Sequence, residues 1–335
     1  MNFLNRTRFP GTAFIDVDRN GVETLVFAMK ATFDLGSDGA VEPAQEQCQL
    51  SFGDVFAGAP GSSSLIYESD ANWGRQATDV AFIGYAYPQR EGDRETDVEL
   101  VVGDARKQAR VFGDRHWTGG IAARISAPQP FERIPLVYER AFGGVDDSPE
   151  DGGDAESEVR NPAGVGLRAR RSRRPIEHAA LPNIEDPQAL IQKPSDRPAP
   201  VGFTFVAKHW SPRIGYAGSY DERWKAQRMP LLPEDFDPRF YAAASEGLAL
   251  PYLCGGEAIE LRNLSPSRLE RFELPRVDVQ ASFHVDASPQ PVRMNLDAVV
   301  ILASSARLMM VWHGAQPVRG LVDDVRWAMI EGGAP

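Results

Sequence analysis

The sequence predicts a mainly β protein: an antiparallel β-sandwich or barrel-like set of sheets from both chain ends, with an irregular central insert that carries short helices. Two observations predict this class. Apolar and polar residues alternate with period two on both sides of the insert, as they do in half-buried strands. Thirty glycines and 26 prolines in 335 residues exceed the average share of these residues, which favours turns over long helices.

Residues 1–127 are predicted to supply the first strands. Alternation over Val22–Leu35 predicts a long strand with one face on the core and one face in solvent. The turn at residues 16–21 joins it to Ala13–Val17 as a hairpin. Further strands are predicted at Asp79–Tyr87, Asp97–Val102 and Gln108–Phe112. Asp79–Tyr87 is apolar on both faces, so we expect it near the centre of a sheet.

Residues 257–335 are predicted to supply the remaining strands. Val277–Val285 alternates more regularly than any other segment, with valine, alanine and phenylalanine on one face. Other strands are predicted at Glu257–Leu261, Arg268–Leu274, Val292–Leu302 and Leu308–His313. The last two are separated by a short polar turn, which predicts a hairpin.

Residues 128–256 lack a regular period and are predicted to pack on the sheets as a cap within one single domain of 335 residues. Asp186-Pro187 and Asp237-Pro238 each place a capping carboxylate before a proline at the first helical position, so each predicts a short helix. Tyr220–Arg228 is a third predicted helix. The acidic segment Asp146–Glu158 is expected to be a mobile loop. The arginines at 168–174 are expected to balance its negative charge or, alternatively, to form a small patch for an acidic partner.

The charge and hydropathy exclude several partners. Acidic residues number 47 and basic residues 36, which gives a net charge of −11, so we expect no nucleic-acid partner. No window approaches 18 uninterrupted apolar residues, which predicts no membrane insertion. Cys48 and Cys254 are too few for a disulfide framework and are expected to be small buried residues in a reducing compartment. With no apolar leader after the first arginines, we expect a cytoplasmic protein.

A search for catalytic groups predicts no catalytic residue, no metal site and no cofactor. The chain has no G-x-S-x-G nucleophile motif and no phosphate-binding glycine loop, and its five histidines lack metal-ligand spacing. The carboxylates Asp235 and Asp237, with Asp221 upstream, leave a glycosidase pair as an alternative. Asp237 precedes a proline, however, and is better interpreted as a helix cap.

A protein partner is predicted to bind the cap. Large aromatic residues beside arginine are typical of interface hot spots. The predicted partner-binding residues are Arg140, Trp210, Arg213, Tyr220, Trp224, Arg228 and Asp235. Among them, Trp210 and Trp224 are expected to be more buried than Arg213 and Arg228.

Several segments occur together in an order that identifies a family resemblance. They are VETLVFAMKATFDL, IPLVYERAFGGVD, NPAGVG, LPNIEDP, DRPAPVGF, HWSPRIGYAGSYDERW, MPLLPEDFDPRFYAAAS and YLCGGEAIELRNL. From about Thr24 to Trp312 the chain resembles a bacterial family labelled a domain of unknown function, whose members are encoded beside type VI secretion spike proteins and toxic effectors. Ser219 stands where the family pattern has threonine, and the hydroxyl is retained.

The resemblance implies a non-enzymatic adaptor or chaperone. Such a protein would hold a toxic effector and help to load it onto the valine-glycine-repeat spike or its PAAR tip. No catalytic residues are carried over with the resemblance. Two alternatives stay open from the sequence: a carbohydrate-active hydrolase that uses the carboxylates of the central insert, and a structural component of the spike itself.

Overall fold

The computed structural model describes residues 1–119, 122–148, 154–285 and 288–333. Strand accounts for 39% and helix for 7% of the structure, which confirms the prediction of a mainly β fold. The sheets of the described chain stay open rather than closing on themselves. Within the same ranges, no helix is long and apolar enough to cross a membrane.

The first twelve strands lie before the cap. They are β1 (Asn2–Asn5), β2 (Gly11–Val17), β3 (Glu23–Leu35), β4 (Val41–Pro43), β5 (Val55–Phe56), β6 (Leu65–Tyr67), β7 (Thr78–Ile83), β8 (Tyr85–Ala86), β9 (Glu95–Val102), β10 (Ala105–Phe112), β11 (Trp117–Thr118) and β12 (Arg124–Ile125).

The cap contains short strands, and longer ones follow it. They are β13 (Ile134–Pro135), β14 (Phe142–Gly143), β15 (Val145–Asp146), β16 (Glu156–Ser157), β17 (Val165–Gly166), β18 (Ile184–Glu185), β19 (Ala249–Leu250), β20 (Ala258–Arg262), β21 (Leu269–Glu273), β22 (Asp278–His284), β23 (Pro289–Val292), β24 (Asn295–Leu302), β25 (Arg307–Pro317) and β26 (Trp327–Gly333). The α-helix is α1 (Glu222–Gln227), and the 3-10 helices are Tyr138–Arg140, Arg213–Tyr216, Pro238–Tyr241, Ala303–Ser305 and Val322–Asp324.

A seven-stranded sheet is the centre of the fold. Its order is β19-β7-β24-β25-β3-β2, with β4 paired to the end of β3 on the same edge as β2. The antiparallel pair of β3 and β25 runs from Asp34 opposite Arg307 to Thr24 opposite Pro317. β7 and β24 are parallel neighbours. Both chain ends therefore build one sheet, and β2 and β3 form the predicted hairpin.

One face of this sheet forms the apolar core. Leu25, Phe27 and Met29 of β3 alternate along this face and are fully buried. The same cluster contains Leu100 of β9 and Ile330 of β26. These residues belong to a five-stranded sheet, β18-β10-β9-β20-β21, and a four-stranded sheet, β1-β26-β22-β23. The predicted sandwich therefore packs two smaller sheets against one large one.

The other face of the seven-stranded sheet is also buried, so the expectation of a solvent face on β3 is wrong. Lys30 and Thr32 lie on this face and are at most 2% exposed. Met309 of the same face packs with Phe205 and Trp210 of the cap. Lys30 and Thr32 contact Asp70 and Gln47 of the irregular segment before β7, so this segment and the cap together cover the polar face. Whether residues 1–335 fold as one domain in the predicted parts, 1–127, 128–256 and 257–335, stays a prediction.

The predicted strands and two of the predicted helices are present. Asp221 caps α1 by accepting a hydrogen bond from the Trp224 amide at 2.8 Å. Asp237 caps Pro238–Tyr241, which is a 3-10 helix rather than an α-helix. The prediction of a helix after Asp186 is wrong. There the carboxylate accepts from the Gln188 amide, and a single turn forms.

The acidic segment is anchored where the structure describes it; residues 149–153 lie outside the described ranges. β15 pairs with β16, and the Asp146 carboxylate is fully buried. It accepts hydrogen bonds from Ser148 and from the Ala169 amide, which lowers its pKa far below the usual range. These contacts are hydrogen bonds rather than apolar anchors, so the mobility expected for Asp146–Glu158 stays a prediction.

The expectation that Cys254 is buried is wrong, because it is exposed.

Candidate functional site in the cap

A buried ionic cluster fixes the cap to the seven-stranded sheet. Its members are Lys30, Glu68, Asp70, Arg75, Asp79 and Arg213. Arg213 enters it from the cap, where its side chain is 2% exposed. Its guanidinium donates to the Glu68 carboxylate at 2.6 Å and to the carbonyls of Val206 and Phe240 at 2.6 and 2.9 Å. One side chain thus ties two cap segments to a residue outside the cap.

The charges within the buried ionic cluster balance as three cations and three anions. Arg75 pairs with Glu68 at 2.5 Å and with Asp79 at 2.8 Å, and Lys30 pairs with Asp70 at 2.6 Å. Burial raises the pKa of Asp79, and the neighbouring Arg75 opposes that rise. A buried charge costs several kcal/mol unless it is paired, so each member holds its partners in one arrangement.

A histidine–aspartate pair lies beside the cluster on the same sheet face. His313 Nε2 is 2.7 Å from the Asp70 carbonyl, and its Nδ1 is 3.0 Å from the Asp297 carboxylate. Because a carbonyl only accepts, Nε2 carries a proton, and a second proton lies between Nδ1 and Asp297. Burial raises the pKa of Asp297, and the hydrogen bond from His313 opposes that rise. The pair is neutral overall, so it leaves the charge balance of the cluster intact.

The outer side of the cap contains a cleft of about 290 Å³, which we call the cap cleft. It is lined by Ser219, Asp221, Arg223, Trp224, Gln227, Arg228, Glu234 and Asp235. Trp224 is half-buried and donates from its indole nitrogen to the Leu231 carbonyl at 2.8 Å. Tyr220 stands against it edge to face, with ring centroids 4.7 Å apart, and is 49% exposed. The cleft therefore presents an ordered aromatic pair at the surface.

Arg228 holds the cleft segment in place. Its guanidinium donates to the Leu232 carbonyl at 2.5 Å and to the Arg19 carbonyl at 2.6 Å. Arg19 lies in the turn between β2 and β3, so this contact joins the cap to the edge of the seven-stranded sheet. Arg228 contributes to the structure of the cleft as well as to its lining.

The predicted partner-binding residues separate into three places. Trp224, Arg228 and Asp235 line the cap cleft, and Tyr220 packs against Trp224 beside it. Trp210 is fully buried against Tyr138 and cannot touch a partner in this structure.

Arg213 is likewise in the interior, so the expectation that it is more exposed than Trp224 is wrong. Arg140 lies elsewhere, where it donates to Asp114 and Asn183, both at 2.9 Å.

The cap carboxylates have the opposite electrostatics to a glycosidase acid. Asp235 accepts from the amide and hydroxyl of Ser219 at 2.9 and 2.8 Å, which lowers its pKa. Asp237 pairs with Arg239, which lowers the pKa of Asp237 as well. A general acid needs a raised pKa. Among the described residues, no group of three or more His, Cys, Asp or Glu side chains could hold a metal ion.

Sequence reasoning missed the residues that matter most to the position of the cap. Glu68, Asp70 and Arg75 lie in a polar stretch before β7 that carries no recognised motif. A usable signal was Lys30, a charged residue in the middle of a long apolar strand. The reasoning also missed Arg223, whose side chain is 71% exposed at the rim of the cap cleft.

Comparisons with known proteins place the chain in a family. Residues 20–313 match the family described as "Uncharacterized protein conserved in bacteria (DUF2169)". No curated protein and no solved structure matches the chain. The matched range includes the sheet strands β3, β7, β9, β10, β20 and β24 and the whole cap. The protein described here therefore belongs to this DUF2169 family of bacterial proteins.

Proposed function

We propose that the protein is a cytoplasmic, non-enzymatic adaptor that binds a type VI secretion effector and helps to load it onto the spike. The proposal rests on the sequence resemblance described above and on one structural observation. That observation is the cap cleft, which Arg223 and the half-buried Trp224 line and beside which the exposed Tyr220 packs on Trp224. Aromatic residues and arginine are the residue types that most often dominate protein interfaces.

The cap cleft lies on a segment that other parts of the structure hold in place, which favours binding. The segment is fixed below by Arg213 in the buried ionic cluster and at its side by Arg228 on the β2–β3 turn. Side chains that are already ordered lose less conformational entropy on binding. Within the described part of the chain, the polar contacts of Arg223 are to Glu234 at 3.5 Å and Gln227 at 3.5 Å; both are long and its side chain is 71% exposed, so its charge is available to a partner.

Binding can be tested with the products of the neighbouring genes. The protein would be co-purified with each product, and the affinity of the captured effector measured by calorimetric titration. We expect Arg223→Glu and Tyr220→Ala each to weaken binding about thirtyfold, which corresponds to a hot-spot loss of about 2 kcal/mol. Melting temperatures should stay close to that of the wild type, because both side chains are exposed.

The control is Arg106→Glu on the outer face of the five-stranded sheet. Arg106 is 62% exposed and stands 3.5 Å from Glu99, so it matches Arg223 in exposure and in the length of its ion pair. Equal affinity of the Arg106 variant and the wild type, with loss in the Arg223 variant, supports the proposal. If Arg223→Glu and Tyr220→Ala both bind the effector like the wild type, the cap cleft is not the binding site.

A further inference from the structure

The seven-stranded sheet has an open edge at β2. β2 ends the strand order, and β1 pairs with β26 rather than with β2. The Lys30 amide donates to the Pro10 carbonyl at 2.9 Å, and the Asp18 amide donates to the Val22 carbonyl at 3.0 Å. Because ladder bonds alternate along an antiparallel pair, the even-numbered residues of β2 face β3. The backbone groups that face away from the sheet belong to Gly11, Ala13, Ile15 and Val17.

Most of these outward groups lack a protein partner. Within the described ranges, no hydrogen bond from another protein group reaches the outward amides and carbonyls of Gly11, Ala13 and Ile15. The Val17 amide donates to the neighbouring Asp16 carboxylate at 2.7 Å, and both residues are exposed. Such an edge can accept a further strand, since an added strand supplies the missing donors and acceptors.

The other edge strands of the three large sheets have features that prevent pairing. β18 and β19 have two residues each, β4 has three and β1 has four. β23 contains two prolines, and three of the five residues of β21 are charged. β2 has seven residues, one charge and no proline or lysine. Short length, proline and charge are what keep edges from pairing, so β2 is the edge best suited to it.

The sequence of β2 is complementary to itself. When two copies pair antiparallel over all seven residues, Phe14 lies opposite Phe14 on a two-fold axis. Ala13 then lies opposite Ile15, and Gly11 lies opposite Val17, so each large side chain on the core face meets a small one. These four residues carry the outward backbone groups, so they form the hydrogen-bonded pairs of the new ladder.

The cap-side face of β2 agrees with the same register. Asp16 lies opposite Thr12 of the second copy, and the two Asp16 residues are about 14 Å apart along the strands, so no like charges are opposed. Phe14 is half-buried at the axis. Phe52 packs edge to face against it, with ring centroids 6.4 Å apart, and is 60% exposed. The apolar surface therefore continues beside the axis.

We propose that the protein forms a symmetric homodimer in which the β2 strands of two copies pair antiparallel and join the two seven-stranded sheets. A second copy fits this edge because the register satisfies the backbone, the side-chain sizes and the charges together. The association concerns this chain alone and does not depend on the proposed adaptor function. Each copy has a net charge of −11, so added salt should screen the repulsion between copies and strengthen the dimer.

Sedimentation equilibrium of the full chain measures the association. We expect the dimer fraction of the wild type to rise with concentration. Ile15→Pro removes an amide that has no partner in the monomer, and symmetry removes it twice, so the dimer should weaken about thirtyfold. Glu273→Pro is the matched control. The Glu273 amide also faces outward from an edge strand, β21, and its loss should leave the dimer unchanged.

A cysteine at the axis tests the register independently of proline. In a background of Cys48→Ser and Cys254→Ser, Phe14→Cys should give a disulfide-linked dimer on oxidation with diamide. Residues opposite each other in a non-hydrogen-bonded pair have Cα atoms about 4.5 Å apart, which a disulfide can span. Thr12→Cys on the same face is the control. It should stay monomeric in denaturing gels, because the two substituted positions are about 14 Å apart.

Three outcomes would overturn the proposal. One is a wild type that stays monomeric at about 0.1 mM, where a complex of micromolar affinity is nearly saturated; the β2 edge would then be left to a strand of another protein. The second is a dimer that Ile15→Pro does not weaken. The third is equal cross-linking of Phe14→Cys and Thr12→Cys.

Discussion

The two faces of the seven-stranded sheet are both buried, but different interactions bury them. On one face, Leu25, Phe27 and Met29 pack against apolar residues of the two smaller sheets. On the other, Lys30 pairs with Asp70 of the segment before β7, and Arg213 of the cap pairs with Glu68 of the same segment. Apolar packing is non-directional and tolerates changes of shape that preserve volume. Ion pairs require one geometry. The charged contacts on the second face therefore determine the position of the cap as well as the stability of its packing.

The largest loss of stability is expected from a substitution on the apolar face of the seven-stranded sheet. Phe27→Ala should lower the free energy of unfolding by about 4 kcal/mol, because it removes a fully buried ring and leaves a cavity. Urea denaturation measures this loss. Phe52→Ala, at a position that is 60% exposed, is the control and should change stability by less than about 0.5 kcal/mol. A similar loss in both variants would contradict the assignment of Phe27 to the core.

Removing Arg213 should lower the free energy of unfolding by about 3 kcal/mol, since Arg213→Met removes one of the two arginines that pair with the buried Glu68 and the donor to two carbonyls. Hydrogen exchange distinguishes this variant from Phe27→Ala. In Arg213→Met the amides of residues 203–210 and 236–243 should lose protection before those of β9. Arg223→Met, an exposed arginine of the cap, serves as the control. Uniform loss of protection across both faces would show that the cap and core do not unfold separately.

Arg228→Met should have a smaller effect, about 1 kcal/mol, because it removes two hydrogen bonds from a half-buried side chain. Limited proteolysis should detect faster cleavage within residues 219–235 while the rest of the chain resists. Cleavage at the wild-type rate would mean that the β2–β3 turn does not hold the cap.

The smallest effect on stability is expected at the neutral pair of His313 and Asp297, which lies beside the buried ionic cluster. Asp297→Asn should change stability at pH 7 by less than about 1 kcal/mol, because no charge is left unpaired. The pH dependence should still differ. The raised pKa of Asp297 means that the folded chain binds a proton more tightly than the unfolded chain does. The wild type should therefore gain stability relative to Asp297→Asn as pH falls from 7 toward about 4. Parallel pH profiles from urea denaturation would contradict this assignment.

The sequence predicted the apolar face of the sheet and misjudged the polar one. Alternation along β3 shows that its faces differ, but Lys30 and Thr32 have the same pattern whether they meet water or buried polar partners. The charge of Lys30 is paired with Asp70, 40 positions away, and Thr32 exchanges hydrogen bonds with Gln47 in an irregular segment. A charged partner so distant leaves no local periodicity, so single-sequence reasoning could not find it.

Part of the cap cleft was predictable for a local reason. Asp221 caps α1, and the spacing along that helix brings Tyr220 and Trp224 together. Trp210 and Arg213 have the same composition as the cleft residues, yet they face inward. Composition identifies residues that suit an interface but does not distinguish the outer side of an irregular segment from its inner side.

The pairing of β3 with β25 has a consequence for the order of folding. Phe27 lies opposite Gly314, so the central sheet forms only after nearly all of the chain has left the ribosome. Until then, the cap and the first strands exist without the surface that they cover. Contacts between such distant residues slow folding and leave apolar surface exposed for longer. We expect nascent chains that end before residue 295 to depend on the cell's general folding assistance, whereas the completed protein does not.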